Sequence, residues 1–319
     1  MKYISFENFK NLIREVSEEK EVITSFKKDT YYDWKKCNGD EIDLRGFRTV
    51  LPLKYFFFSP QENLIEKEKK SFFIVGARAC DLRGLELLKK IYLDEPEDPY
   101  YKKDNFIISV DCTEFHDNCF CVLLGDTPWP DTGFDLNISV LEDGYIVEVG
   151  SENGKEFIKK HENYFRDASS DEILKREKLR EKIKNELSKK LENRKIDINK
   201  LKEKIEKNED VFKEFGSKCV SCSACTNICP CCFCFFLSEG NKNKIRYIDS
   251  CQFKGYARVA GGANPRKDII KRFKHRFLCK FSYRIDMQGI KGCTGCGRCI
   301  DGCQGGINFK EVIIRVNGE

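Results

Sequence analysis

Apolar positions along this chain change period several times, and each change predicts an element. From Phe6 to Val16 they recur at helical spacing, and a short apolar segment follows at residues 21–26. The stretch Leu51-Pro52-Leu53-Lys54-Tyr55-Phe56-Phe57-Phe58-Ser59-Pro60 is aromatic and bounded by proline, which fits a buried strand or turn, with a docking surface as the alternative. Phe72-Phe73-Ile74-Val75 is a continuous apolar run, the mark of a strand covered on both faces. Asp81 then opens a helix whose apolar face uses Leu82, Leu85, Leu88 and Ile91, and Phe106-Ile107-Ile108-Ser109-Val110 reads as a second buried strand. Strand, helix and strand predict parallel pairing through a right-handed crossover. Residues 134–141 and 145–149 alternate around Asp143-Gly144, a hairpin signal.

Between Ser169 and Phe215 the chain is dominated by Lys, Glu and Arg. Leu179, Ile183, Leu187 and Leu191 recur every fourth residue, and Leu201 and Ile205 continue in a second segment. This predicts two solvated amphipathic helices, with an interaction arm as the alternative. The expected fold class is α+β. Residues 1–168 form an α/β domain with a mixed sheet, 169–216 a charged helical linker, and 217–319 a cysteine-rich domain.

Chemistry enters with the cysteines. Cys219, Cys222, Cys225 and Cys229 share the spacing C-x2-C-x2-C-x3-C with Cys293, Cys296, Cys299 and Cys303. That run wraps cubane iron–sulfur clusters in bacterial-type ferredoxins, where three thiolates of one loop reach one cluster and the fourth ligates the other. Cys219, Cys222, Cys225 and Cys303 are therefore expected on one [4Fe-4S] cluster, and Cys293, Cys296, Cys299 and Cys229 on a second. Zinc is the alternative, but its sites split into two separated pairs. The distance between the motifs points to a helical insert.

Cys80 and Cys112 follow the two predicted parallel strands, so both emerge at the sheet edge where ligands bind, with Cys119 and Cys121 a short loop beyond. These four are candidates for a third [4Fe-4S] cluster, against a reading of Cys80 and Cys112 as small buried hydrophobes. Cys231, Cys232, Cys234 and Cys251 could give a further metal site or pack around the first cluster, with Phe233, Phe235 and Phe236 as a dry shell. Cys37 and Cys279 read as structural and His161 and His275 as surface residues. His116, inside the cysteine loop, is a minor ligand candidate. Gly261-Gly262 reads as a turn.

Composition narrows the classes. No run of about 18 apolar residues appears, so no membrane span is expected, and the N-terminus lacks the apolar region of a signal peptide. Eighteen cysteines in a chain without an export signal suggest metal and a cytoplasmic, anaerobic setting. The formal charge of +5 is offset by clusters of about −2 each, so it is local compensation and not a nucleic-acid footprint. Lys218, Lys291 and Arg298 beside the motifs are the expected compensating cations. No dinucleotide fingerprint, P-loop or catalytic triad is written in the chain.

Several blocks resemble one family. Gly76-Ala77-Arg78-Ala79-Cys80-Asp81-Leu82-Arg83 is similar to the N-terminal signature of the beta subunits of NAD(P)-linked nickel–iron hydrogenases (sulfhydrogenases) and of the corresponding iron–sulfur subunit of anaerobic sulfite reductase. Residues 110–114, 118–121, 229–234, 249–253 and 260–262 look like its later blocks. The likeness runs from about Pro52 onward. It implies an alpha-helical, ferredoxin-like dicluster domain in the C-terminal part. It also implies, as partner, a flavin- and NAD(P)-binding diaphorase subunit, together with a catalytic subunit of hydrogenase, sulfite reductase or heterodisulfide-reductase type. Gln304 stands where ferredoxins place proline, and Cys231 is an extra cysteine in its block. The expected role is electron transfer without a catalytic residue of its own. The alternative makes the N-terminal cysteine site itself a catalytic iron–sulfur centre.

Overall fold

The computed structural model of the chain describes residues 1–40, 42–64, 71–239 and 244–318. β1 (Lys2–Ser5) runs directly into α1 (Phe6–Glu19), where the Ser5 hydroxyl caps the helix by accepting from Asn8 N at 3.2 Å. The hairpin β2 (Val22–Lys28) and β3 (Tyr31–Lys36) follows. The proline-bounded aromatic stretch forms a short 3-10 helix, Leu53–Phe56, and not a strand; β4 (Gln61–Asn63) comes after it. β5 (Phe73–Ala77), α2 (Ala79–Tyr92) and β6 (Phe106–Val110) make the expected crossover. β7 (Leu136–Val140) and β8 (Gly144–Val149) make the expected hairpin, followed by α3 (Glu152–Lys160) and β9 (Arg166–Asp167).

These strands form one mixed sheet in the order β3-β2-β5-β6-β7-β8-β1-β9, parallel from β2 to β7 and antiparallel at both flanks. Phe73 and Val75 of β5 face one core with Phe9, Leu12 and Ile13 of α1, whereas Ile74 and Ala77 face another with Leu82, Leu85 and Leu88 of α2. Covering both faces is what makes β5 and β6 read as unbroken apolar runs. Each such side chain contributes roughly 1.5–3 kcal/mol when fully buried.

The charged segment holds three helices where the apolar spacing predicted two. α4 (Ser170–Lys190) begins with a capping box between Ser169 and Glu172. α5 (Ile198–Lys207) and α6 (Glu209–Gly216) are divided at Asn208, which ends the first and caps the second by accepting from Val211 N at 3.1 Å. The solvated face of α4 includes Leu179, which is 44 % exposed, while Leu187 and Leu191 are buried. α4 docks on the sheet through polar contacts: Arg176 Nε donates to Ser139 Oγ at 3.0 Å and Arg180 Nε to Asp111 Oδ2 at 2.7 Å.

After α7 (Ala224–Asn227) the insert between the motifs is not only helical. β10 (Phe235–Glu239) and β11 (Lys244–Ile248) pair antiparallel, and β11 also takes β4 from the N-terminal half, giving a three-stranded sheet. α8 (Ile269–Leu278) continues into a π turn, Cys279–Tyr283, and α9 (Arg284–Gln288). α10 (Arg298–Asp301) and α11 (Phe309–Asn317) complete the chain. Phe212, Phe273, Phe277, Phe281 and Phe309 form the centre of this helical core, and Phe120, Leu123 and Leu124 from beyond β6 are built into it.

Candidate metal centres

The two cysteine motifs adopt the same backbone. In the first, Ser221 and Ser223 take positive φ of 56° and 62°; in the second, Gly295 and Gly297 take 64° and 74°. Each loop then enters a one-turn helix, α7 or α10, and the repeated left-handed residues fold three cysteines around one centre. The choice of residue follows the surroundings. A Cβ on Gly295 would lie 2.5 Å from Cys121 Cα, and one on Gly297 would lie 2.2 Å from Asn118 O. Only glycine suits the left-handed turn at that close approach. The second motif is thereby pressed against the loop that carries Cys119 and Cys121, and Phe120 N donates to Gly295 O at 2.7 Å.

Cys219, Cys222, Cys225, Cys299 and Cys303 line one cavity, so the last cysteine of the second motif lies with the three of the first. Cys229 crosses the other way. Its sulfur lies within electrostatic reach of Cys293 and Cys299, and that of Cys299 within reach of Cys296. At the strand ends, Cys80, Cys112, Cys119 and Cys121 form a third group: Cys80 faces Cys112, Cys112 faces Cys119, and Cys121 faces both Cys119 and Cys112. Cys296 adjoins that group, since Cys80 and Cys119 both sense its sulfur. The three groups therefore follow one another through the protein with Cys296 and Cys299 between them.

Buried arginines hold the third group in place. Arg78, the residue before α2, donates to Asp111 O at 2.6 Å and Leu44 O at 2.8 Å, fixing the backbone beside Cys112. Arg298 of the second motif donates to Asp81 Oδ2 at 2.7 Å and lies 4.0 Å from Cys80 Sγ. Burial pushes the Cys112 and Cys293 thiols up to about 12 and Cys299 up to about 11. Cys229 is the exception. Hydrogen bonds from the Cys231 and Cys232 thiols, reinforced by Lys280 and Lys54, hold it well below the usual thiol range despite its burial.

These cations add to the expected charge compensation. Lys291 pairs with Asp126 at 2.7 Å, Arg298 pairs with Asp81 while also lying beside Cys80, and Lys218 is exposed over Phe215. Lys280 is buried instead against Cys229 Sγ at 3.1 Å and Gly292 O at 2.8 Å. Lys54 is buried on Cys232 O at 2.9 Å. Arg276 is buried beside Cys225 and Cys299 with its Nε unpartnered. Among the described residues no carboxylate pairs with any of the three. Buried cations without an anion are costly, and a polyanionic cluster with acceptor sulfurs supplies what is missing. The surroundings fit [4Fe-4S] groups. Among the described residues no three or more His, Cys, Asp or Glu side chains converge on a single-ion site.

Other expectations need correction. Phe235 and Phe236 are 41 % and 47 % exposed, so they are not a dry shell; Phe233 alone packs inward. His161 is buried against Phe157 and beside Glu15, and His275 is half-buried near Tyr283. Neither is a surface residue. His116 Nδ1 accepts from Asn118 N at 3.3 Å, and Gly261-Gly262 form the expected turn. Cys232 stays with Cys229 and Lys280 and is parted from Cys234 and Cys251, which meet Cys279 instead. Lys54, Arg276, Cys279 and Lys280 were missed in the sequence. A lysine inside an aromatic run, as at Lys54 and Lys280, is the signal that could have found two of them.

Residues 218–307 match the family model of 4Fe-4S dicluster domains. Paired motifs, crossed cysteines and buried cations thus belong to an iron–sulfur protein of the [4Fe-4S] class. The chain is 32% identical to sulfhydrogenase 2 subunit beta of Pyrococcus furiosus over 330 residues, covering 98% of this chain and 96% of that protein. It belongs to the sulfhydrogenase beta-subunit family, as an iron–sulfur electron-transfer subunit of a hydrogenase-type complex. Among the described residues no helix is long and apolar enough to cross a membrane.

Proposed function

We propose that the chain relays single electrons, in the cytoplasm, between a diaphorase subunit that binds flavin and NAD(P) and a catalytic redox subunit. The catalytic partner is of hydrogenase, sulfite reductase or heterodisulfide-reductase type. The observation that carries this is the succession of three cysteine groups among buried cations that have no carboxylate partner among the described residues. Cys219, Cys222, Cys225 and Cys303 hold one cluster, Cys293, Cys296, Cys299 and Cys229 a second, and Cys80, Cys112, Cys119 and Cys121 a third. Residues 1–168 then form an α/β domain carrying the third centre, 169–216 its helical connection and 217–319 the dicluster domain. When bound, the clusters supply one-electron couples whose potentials depend on charge and hydrogen bonds. The residues of the chain hold them, exclude water and offset their charge. Exposed Phe235, Phe236 and Leu237 on the edge strand β10 offer an apolar edge suited to a partner subunit.

A second reading has its own support. A cavity of about 650 Å³ between α4 and the strand ends reaches Cys112 and is lined by Arg45, Arg176 and Arg180. The pocket is of mixed charge, with Asp111, Glu142, Asp143 and Glu172 among its lining, and beside the third group it would admit a small polar molecule to a catalytic iron–sulfur centre.

The complex isolated anaerobically through a tag on this chain separates the two. Electron relay predicts a flavoprotein among the co-purified subunits and bleaching of the clusters by NAD(P)H. A complex without flavin, whose clusters stay oxidised under NAD(P)H, contradicts it.

A further inference from the structure

Three thiols outside the groups described above are gathered from separate segments. Asp249 N donates to Cys234 O at 2.8 Å, closing the base of the β10–β11 hairpin and bringing Cys251 alongside Cys234. Gln252 is clasped to α8 from both sides: its Nε2 donates to Arg272 O at 3.0 Å, and Arg272 Nε donates to Gln252 O at 2.9 Å. Cys279 lies seven residues after Arg272, two turns on along the same helix face, where the helix widens into the π turn. The Tyr256 hydroxyl donates to Cys234 Sγ at 3.2 Å and Gln252 Nε2 approaches Cys251 Sγ at 3.3 Å. Each of Cys234, Cys251 and Tyr256 senses Cys279.

We propose that Cys234, Cys251 and Cys279 form a fourth iron–sulfur site, holding a [4Fe-4S] cluster by three thiolates with Tyr256 beside it. None of the three is in a disulfide. Two cations approach them, Arg276 near Cys251 and Arg284 near Cys234, with Asp249 also beside Cys234. Each thiol gives up its proton to solvent on binding iron, and ferrous iron, ferric iron and sulfide together supply the mixed-valence core with no further oxidant. Cys234 and Cys279 are half-buried, and Phe253 and Tyr283 nearby are 42 % and 37 % exposed. The site therefore lies nearer the surface than the strand-end group, where a partner can exchange electrons with it.

This goes beyond the relay proposed above, and its failure leaves the iron of the other three groups unaltered. The full chain is reconstituted anaerobically with ferrous iron, ferric iron and sulfide, beside the triple variant Cys234→Ser, Cys251→Ser and Cys279→Ser. The variant is expected to lose about four irons and about four sulfides per chain; unchanged iron and sulfide overturns the site. Where the variant does not fold, alkylation and peptide mapping of the loaded wild-type chain decides. The three cysteines are expected to resist alkylation until a chelator strips the iron. Alkylation of them in the loaded chain, or a disulfide between any two, overturns the proposal.

Discussion

At the scale of single residues, Lys280 is the side chain whose chemistry is most exposed to test. Its ammonium is buried against Cys229 Sγ at 3.1 Å, and although burial opposes its charge, the surrounding thiolates hold its pKa well above the usual range. A hydrogen bond to a charged group contributes about 1.5–3 kcal/mol, which for a one-electron couple corresponds to roughly 60–130 mV. Lys280→Met should lower the potential of the cluster served by Cys229 by that amount, because a reduced cluster loses the cation that stabilised its extra electron. A redox titration followed by electron paramagnetic resonance reads this directly, with the exposed Lys218→Met as the control that should not move; equal potentials in both variants would rule the role out. His275 gives a pH-dependent counterpart. Burial first, then Arg266 and Arg284, pushes it down to about 4. The unfolded chain takes up a proton near pH 6.5 while the folded chain does not. Its contribution to stability is therefore full above about pH 6.5 and is lost as pH falls towards 4. The thermal midpoint should drop less between pH 7 and pH 5 in His275→Phe than in the wild type, and identical drops would count against the assignment.

At the scale of elements, the loop 118–121 joins the two halves. It leaves the end of β6, passes under Gly295 and Gly297, and delivers Phe120 into the helical core. Cys119→Ser with Cys121→Ser should remove about four irons per chain and leave the dicluster centres intact. Unchanged iron in that double variant would mean these cysteines only pack. What the sequence made legible was whatever repeats locally. The β5–α2–β6 crossover, the β7–β8 hairpin and the paired cysteine motifs all announce themselves by period or spacing. What stayed hidden was set by distant partners. β4 is three polar residues whose strand geometry exists only because β11 pairs with it. The break between α5 and α6 falls at Asn208 inside a uniformly charged stretch. Cys279 looked solitary because its neighbours, Cys234 and Cys251, lie far back along the chain. The same holds for Lys54, which reaches Cys232 across 178 positions.

At the scale of the whole molecule, the basic excess is unevenly placed. Many surface cations pair with carboxylates, as Arg315 does with Glu214 and Lys202 with Asp286, whereas three cations beside the cysteine groups lie inside with no carboxylate partner among the described residues. Lys54, Lys280 and Arg276 are buried where sulfurs converge, and an apo-chain must keep them there without counter-ions. The cluster-free protein is therefore expected to be markedly less stable than the loaded one, since metal binding free energy becomes folding free energy. Iron and labile sulfide per chain, measured after anaerobic reconstitution of the full-length protein, test the central claim most directly. The account predicts at least about eight of each from the dicluster domain and about twelve with the strand-end group. A fully loaded, folded chain holding fewer than about eight would contradict it.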